Sequence, residues 1–243
     1  MKEVFRWNSP RLDREVTLAR WGQYGAPVLL FPTAGGDAQE AERMHMIGAL
    51  HPLIEAGRIK VYSCDSVAGQ AWVSRQHPVE YCSSLQNRFD EFLYHEVVPA
   101  IRADCSTDDI EIITLGPSIG AFNAVACLCR HPDAFRVAIG MSGTYDLEKL
   151  LGFSGDGGFY FASPLLFVPN LGESPELDAV RRRFVLLATS RGRWEDAEET
   201  WRMAGVLGAR GIPNRVDDWG PDYDHDWPTW REMAPRYLDE FAR

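Results

Sequence analysis

Apolar positions along the chain fall into two rhythms. Short runs read as β-strands at residues 3–7, 16–21, 28–31, 59–64, 110–115, 137–141, 184–188 and 215–219. Longer stretches between them read as helices at 37–56, 78–103, 119–130, 196–209 and 228–241. Helix ends are marked by Gly57, by His131-Pro132 and by Gly211 ahead of Pro213. The first two strands follow one another without a helix, which predicts an antiparallel pair at one edge. The remainder alternate strand and helix, which predicts an α/β fold: a mostly parallel central sheet with right-handed crossovers and helices on both faces. The stretch from Gly143 to Arg181 breaks the rhythm. It is long, aromatic (Phe153, Phe159, Tyr160, Phe161, Phe167) and glycine-rich (Gly152, Gly155, Gly157, Gly158). An insertion over a site and a packed surface excursion both fit it. No repeat, low-complexity tract or linker divides the chain, so 1–243 reads as one domain with 144–181 as an insertion near the site.

Composition narrows the function. With 243 residues, 45% hydrophobic and 25% charged, the chain can bury a sizeable core. Its net charge of −10 argues against nucleic acid or an anionic membrane as partner, because phosphates would be repelled. Plain solubility explains the same acidity. The cysteines Cys64, Cys82, Cys105, Cys127 and Cys129 are odd in number and follow no framework spacing, which suits free thiols in a reducing compartment. Cys127 and Cys129, two apart on an expected helix, point to different faces and make a poor metal knuckle. The first residues show no apolar signal-peptide core, and no apolar run approaches the ~18 residues of a membrane span. The expected location is the cytoplasm.

Chemistry enters at Gly116-Pro117-Ser118-Ile119-Gly120. The pentapeptide G-x-S-x-G is weak alone, but here it follows a continuous β run and opens an amphipathic helix. That strand–turn–helix context is the setting of a nucleophile elbow, with Ser118 at the tip of the turn. The glycines let the strand and helix backbones approach, and the helix N-terminus favours developing negative charge. The plainer alternative is a serine N-cap on a buried turn.

A serine hydroxyl needs a base. His45, His51 and His95 fall in helical stretches, and His77 and His131 each precede a proline. His225 differs, following the last strand in the polar loop Gly220-Pro221-Asp222-Tyr223-Asp224, just ahead of the last helix. A third member should orient the imidazole, in the chain order serine, acid, histidine. The loop after 184–188 offers Glu195, the first choice, and Asp196, the second choice and also a candidate N-cap. Ser118, the acid and His225 are expected at the carboxyl ends of neighbouring strands, with His225 in hydrogen-bond reach of Ser118. An oxyanion hole would take the backbone N–H of Ile119 and one from Pro32-Thr33-Ala34-Gly35-Gly36, with Thr33 or Ala34 as donor.

The segments LLFPTAGG, LGPSIGAFNA, HPDAFRVAIGMSGTYD and DHDWPTWREMAPRYL together resemble the "Putative esterase" family of α/β-hydrolases. That family includes feruloyl and acetyl xylan esterases, S-formylglutathione hydrolases and mycolyltransferases. The resemblance spans residues 4–241 and implies the α/β-hydrolase fold. It also implies a serine carboxylesterase working through a Ser-Glu/Asp-His triad. The family's nucleophile corresponds to Ser118 and its histidine to His225. S-formylglutathione hydrolases carry their acid three residues after a glycine, which here runs from Gly192 to Glu195. The chain departs in having Glu where Asp is usual, and Pro117 where the family often has His, Cys or Glu. Acyl transfer to an alcohol or sugar would use the same residues, and a non-catalytic hydrolase-like protein is the remaining alternative.

No phosphate loop and no H-E-x-x-H helix is present. Asp222, Asp224 and Asp226 are spaced like the start of a calcium loop, but Trp227 and Met233 stand where the glycine and final carboxylate belong. The expectation is therefore no cofactor and no metal, and a small-molecule ester as partner. Oligomeric state stays open.

Overall fold

The computed structural model describes residues 1–153 and 157–242. Gly155, in the glycine-rich stretch, lies outside them. Among the described residues there are eight strands: β1 (Lys2–Ser9), β2 (Arg14–Trp21), β3 (Ala26–Leu30), β4 (Ile59–Cys64), β5 (Ile112–Pro117), β6 (Phe135–Met141), β7 (Phe184–Thr189) and β8 (Asn214–Asp218). They form one sheet in the order β1-β2-β4-β3-β5-β6-β7-β8. β1 pairs antiparallel with β2, with Lys2 opposite Trp21, and β2 runs antiparallel to β4. All later pairings are parallel. This is the mostly parallel α/β sheet expected from the alternation of strand and helix, and it fits the α/β-hydrolase fold that the resemblance implies.

The helices are α1 (Glu40–Arg43), α2 (Met46–Glu55), α3 (Val67–Ser74), α4 (Val79–Phe92), α5 (Val98–Asp104), α6 (Ile119–Arg130), α7 (Leu147–Leu151), α8 (Gly157–Tyr160), α9 (Pro164–Phe167), α10 (Pro175–Arg181), α11 (Ala197–Ala209) and α12 (Trp227–Phe241). Because strand side chains alternate, each central strand feeds two cores. Val28 and Leu30 join Met46, Leu50, Trp230 and Met233 on the face covered by α1, α2 and α12. Leu29 and Phe31 join Phe89, Phe122, Phe135 and Met203 on the opposite face, under α3–α6 and α11. Both faces of β3 are thus dry, which is why it reads as a continuous apolar run rather than an alternating one.

Three departures from the expected helices have local causes. The stretch 37–56 is two helices, because His45 adopts a left-handed backbone (φ 61°) and starts α2 on a new axis. That turn puts Met46, Leu50 and Ile54 on one buried face. The stretch 78–103 is α4 and α5 joined by a widened π turn over Leu93–Val97. Pro99, in the first turn of α5, lacks an N–H and crowds the carbonyl four residues back, and the wide turn makes room for it. Helix α3 had no clear periodic signal, since Val67, Ala68, Gly69, Ala71 and Trp72 are buried nearly all round. The run after β6 folds into the short helices α7–α10. Its Phe153 stacks on Trp72 at 5.1 Å, and Phe159 packs edge-on against the same indole.

Candidate active site

β5, β6, β7 and β8 lie side by side and parallel, so their carboxyl ends form one rim. Ser118 follows β5, Ser142 follows β6, Glu195 lies in the loop after β7, and His225 lies in the loop after β8. Residues spread over more than a hundred positions are gathered by strand order alone.

Ser118 occupies the turn between β5 and α6 with φ 56° and ψ −125°, a region L-residues rarely enter. Two glycines make the turn possible. A Cβ on Gly116 would stand 2.4 Å from the backbone of Gly120, and one on Gly120 would stand 2.7 Å from the Pro32 carbonyl. Ser118 makes no side-chain capping bond to α6, although it holds the N-cap position, and it is half-buried. Its backbone is tied to the loop after β6. Ser118 N–H donates to Met141 O at 3.0 Å, and Thr144 N–H donates to Ser118 O at 3.2 Å.

The next element backs the elbow with main-chain donors. Among the described residues, the N–H groups of Ile119 and Ala34 have no acceptor. Thr33 differs from Ala34 in this respect. Its N–H donates to Glu40 Oε2 at 2.7 Å and its hydroxyl to Glu40 Oε1 at 2.7 Å. The Glu40 carboxylate therefore anchors the loop through Thr33 and leaves Ala34 as the free amide of the two expected donors. Helix α3 closes in from the side, where a Cβ on Gly69 would stand 2.4 Å from Ala34 O. Neither Glu40 nor α3 was singled out in the sequence; a glutamate at the start of a helix reads as ordinary dipole complementarity.

The acid and histidine loops extend the β7–β8 ladder past the strands. Trp219 N–H donates to Thr189 O, Arg191 N–H to Gly220 O, Gly192 N–H to Tyr223 O, and His225 N–H to Arg193 O, all at 2.8–3.1 Å. Gly192 is needed for this approach, because a Cβ there would meet Tyr223 O at 2.2 Å. Asp224 reinforces it by accepting from Arg193 N–H at 2.7 Å and from the Arg193 guanidinium at 3.0 Å.

The two candidate acids separate clearly. Asp196 caps α11 by accepting from Glu199 N–H, and it pairs with Lys149 at 2.6 Å. The bond from Lys149 holds its carboxyl below the ordinary aspartate range. Glu195 accepts a hydrogen bond from the Ser142 hydroxyl, and its charge acts on His225. The imidazole is half-buried, and this burial pushes its pKa below the ordinary histidine value, opposed by the charges of Glu195 and Asp226. Trp230 meets the ring edge-on at 5.2 Å. No hydrogen bond joins His225 to Ser118 among the described residues, and none joins it to Glu195 or Asp196, so the expected contacts at hydrogen-bond distance are not formed. His131, by contrast, bonds Asp90 at 2.9 Å and stacks on Tyr94.

The sequence model of the "Putative esterase" family matches residues 53–238. The chain belongs to this family. It is a carboxylic ester hydrolase of the α/β-hydrolase fold. Solved structures agree in fold across nearly the whole chain. A ferulic acid esterase superposes with a TM-score of 0.72 at 14% identity, covering 98% of this chain and 96% of that one. An S-formylglutathione hydrolase from Agrobacterium tumefaciens gives 0.71 at 14% identity, covering 100% and 94%. FphF, a fluorophosphonate-binding serine hydrolase of Staphylococcus aureus, gives 0.64 at 15% identity, covering 100% and 98%. No curated protein matches the chain in sequence. No helix among the described residues is long and apolar enough to cross a membrane.

Proposed function

We propose that this esterase hydrolyses small acyl esters through Ser118 as nucleophile, His225 as general base and Glu195 as the orienting acid. The observation that carries the reading is the backbone of Ser118. A non-glycine residue held at φ 56° and ψ −125°, with its hydroxyl unused by the helix it precedes, stores strain that the fold itself does not need. Attack by Oγ on an acyl carbon forms the O–C bond while the hydroxyl proton passes to the His225 ring. The carbonyl oxygen becomes an oxyanion facing the N–H groups of Ile119 and Ala34. Collapse expels the alcohol, which takes the proton from His225, and water deacylates Ser118 by the reverse route. The Ser118–His225 contact tightens when substrate is bound, as catalytic hydrogen bonds commonly do.

A small acyl group suits the surroundings. Trp72, Phe153 and Phe159 fill the space beside α3 against one another, and Phe122 of α6 stacks on Phe159. We read the 144–181 stretch as an insertion that supplies part of this wall. The five free cysteines fit a reducing compartment such as the cytoplasm. The test is hydrolysis of p-nitrophenyl acetate and butyrate by wild type and Ser118→Ala, with fluorophosphonate labelling read by mass spectrometry. Wild type should turn over and label at Ser118. The substitution should abolish labelling and nearly all turnover, a loss of roughly 10⁶ in kcat where such a change has been made in subtilisin. Equal rates in the two proteins would end the reading.

A further inference from the structure

Ser142 stands between the nucleophile and the acid. It follows β6, which lies between β5 and β7 in the sheet. On one side, its neighbours Met141 and Thr144 bond the backbone of Ser118. On the other, its own N–H donates to Ala188 O at 2.8 Å, at the end of β7. Its side chain is buried and fully engaged: the hydroxyl accepts from Trp230 Nε1 at 2.9 Å and donates to Glu195 Oε1. Trp230 in turn meets the His225 imidazole edge-on at 5.2 Å. Acid and base thus share one support, built from a serine and a tryptophan that the triad itself does not include.

From this arrangement we infer that Ser142, locked by Trp230, is a positioning residue that holds Glu195 in register with His225. A serine hydroxyl carries one proton. With the Trp230 N–H occupying an acceptor site on Oγ, the rotor is fixed and that proton points to Glu195 Oε1. The bond occupies Oε1 and leaves Oε2 free to accept from the imidazole, a bond not formed among the described residues. The backbone of Ser142 supports the same conclusion. Its φ of 48° is left-handed, where glycine would sit at lower cost, and the hydroxyl is what a glycine there would lack. The inference rests on the proposed role of Glu195.

The test is a double-substitution cycle on kcat and KM with p-nitrophenyl acetate. Ser142→Gly removes the hydroxyl while suiting the left-handed backbone, so the fold is spared, and thermal unfolding checks this. It should lower kcat roughly tenfold to a hundredfold, the range seen when outer supports of a reactive centre are removed, with KM nearly unchanged. Trp230→Phe keeps a ring but frees the Ser142 rotor and should lower kcat by less. In a Glu195→Gln background, Ser142→Gly should cost less than about threefold, because the group it positions is already gone. An equal loss in both backgrounds, or no loss in either, overturns the inference and leaves the triad standing. Glu195→Gln with wild-type kcat overturns the triad reading itself, and the inference with it.

Discussion

In the proposed mechanism, His225 is the residue whose protonation decides activity. Burial holds its imidazole below the ordinary histidine value of about 6.5. Since the base must be neutral, kcat/KM should be level above about pH 6.5 and fall only as pH drops through that lowered value. The same shift links to stability: the folded form resists the proton, so this contribution is present above about pH 6.5 and lost as pH falls through the folded value. Glu195→Gln removes one of the two charges that hold the imidazole up, so the acid limb should move to still lower pH. A kcat/KM with no acid limb at any pH where the protein stays folded would remove histidine as the base. The acids part at this scale as well. Glu195→Gln should cut kcat by orders of magnitude, ~10⁴ where an orienting carboxylate has been replaced elsewhere. Asp196→Asn should leave kcat near wild type and cost at most about 1 kcal/mol of stability, measured by urea unfolding, because asparagine keeps the helix cap and only the exposed pair with Lys149 is lost. The opposite result would give Asp196 the role. Ser118 and His225 were legible from local context, one in a strand–turn–helix and the other between the last strand and last helix. Ser142 was not, because a serine after a strand is common and its partners come from loops far along the chain.

At the scale of elements, the β7 and β8 loops are hydrogen-bonded into one unit. Gly192 is where they touch, and no side chain fits between it and the Tyr223 carbonyl. Gly192→Ala must push the loops apart, carrying Glu195 and His225 with them. A displacement of about 1 Å can cost ~10² in rate, so kcat should fall about that far while far-UV circular dichroism stays native. Retention of full activity would show that the loops tolerate separation and that their register does not set the site. The succession of strands and the five main helical stretches was readable, because two-faced burial makes the parallel strands uniformly apolar and βα alternation leaves few topologies. The break at His45 was not, since only tertiary packing of Met46 and Leu50 rewards a left-handed residue there. Helix α3 was missed for a related reason: buried on nearly every side, it shows no polar face to mark its period.

At the scale of the whole molecule, the site sits on a rim whose field is that of an acidic protein. The net charge is −10. The cations of the loop after β7 and of helices α7 and α11 do not offset it locally, because each is paired: Arg191 with Asp218, Arg193 with Asp224, Lys149 with Asp196, and Arg202 with Asp146. A substrate bearing a carboxylate should therefore be repelled as it approaches, whereas a neutral ester should not. At 0.1 M ionic strength the Debye length is ~10 Å, so salt removes most of that repulsion. Between about 10 and 200 mM salt, kcat/KM for an anionic ester such as 4-nitrophenyl hemisuccinate should rise several-fold, and that for p-nitrophenyl acetate should stay level. The two esters share a leaving group, so the comparison isolates the charge. A kcat/KM for the anionic ester that falls with salt would mean that one of these cations, Arg193 or Lys149 first among them, leaves its carboxylate to bind the substrate.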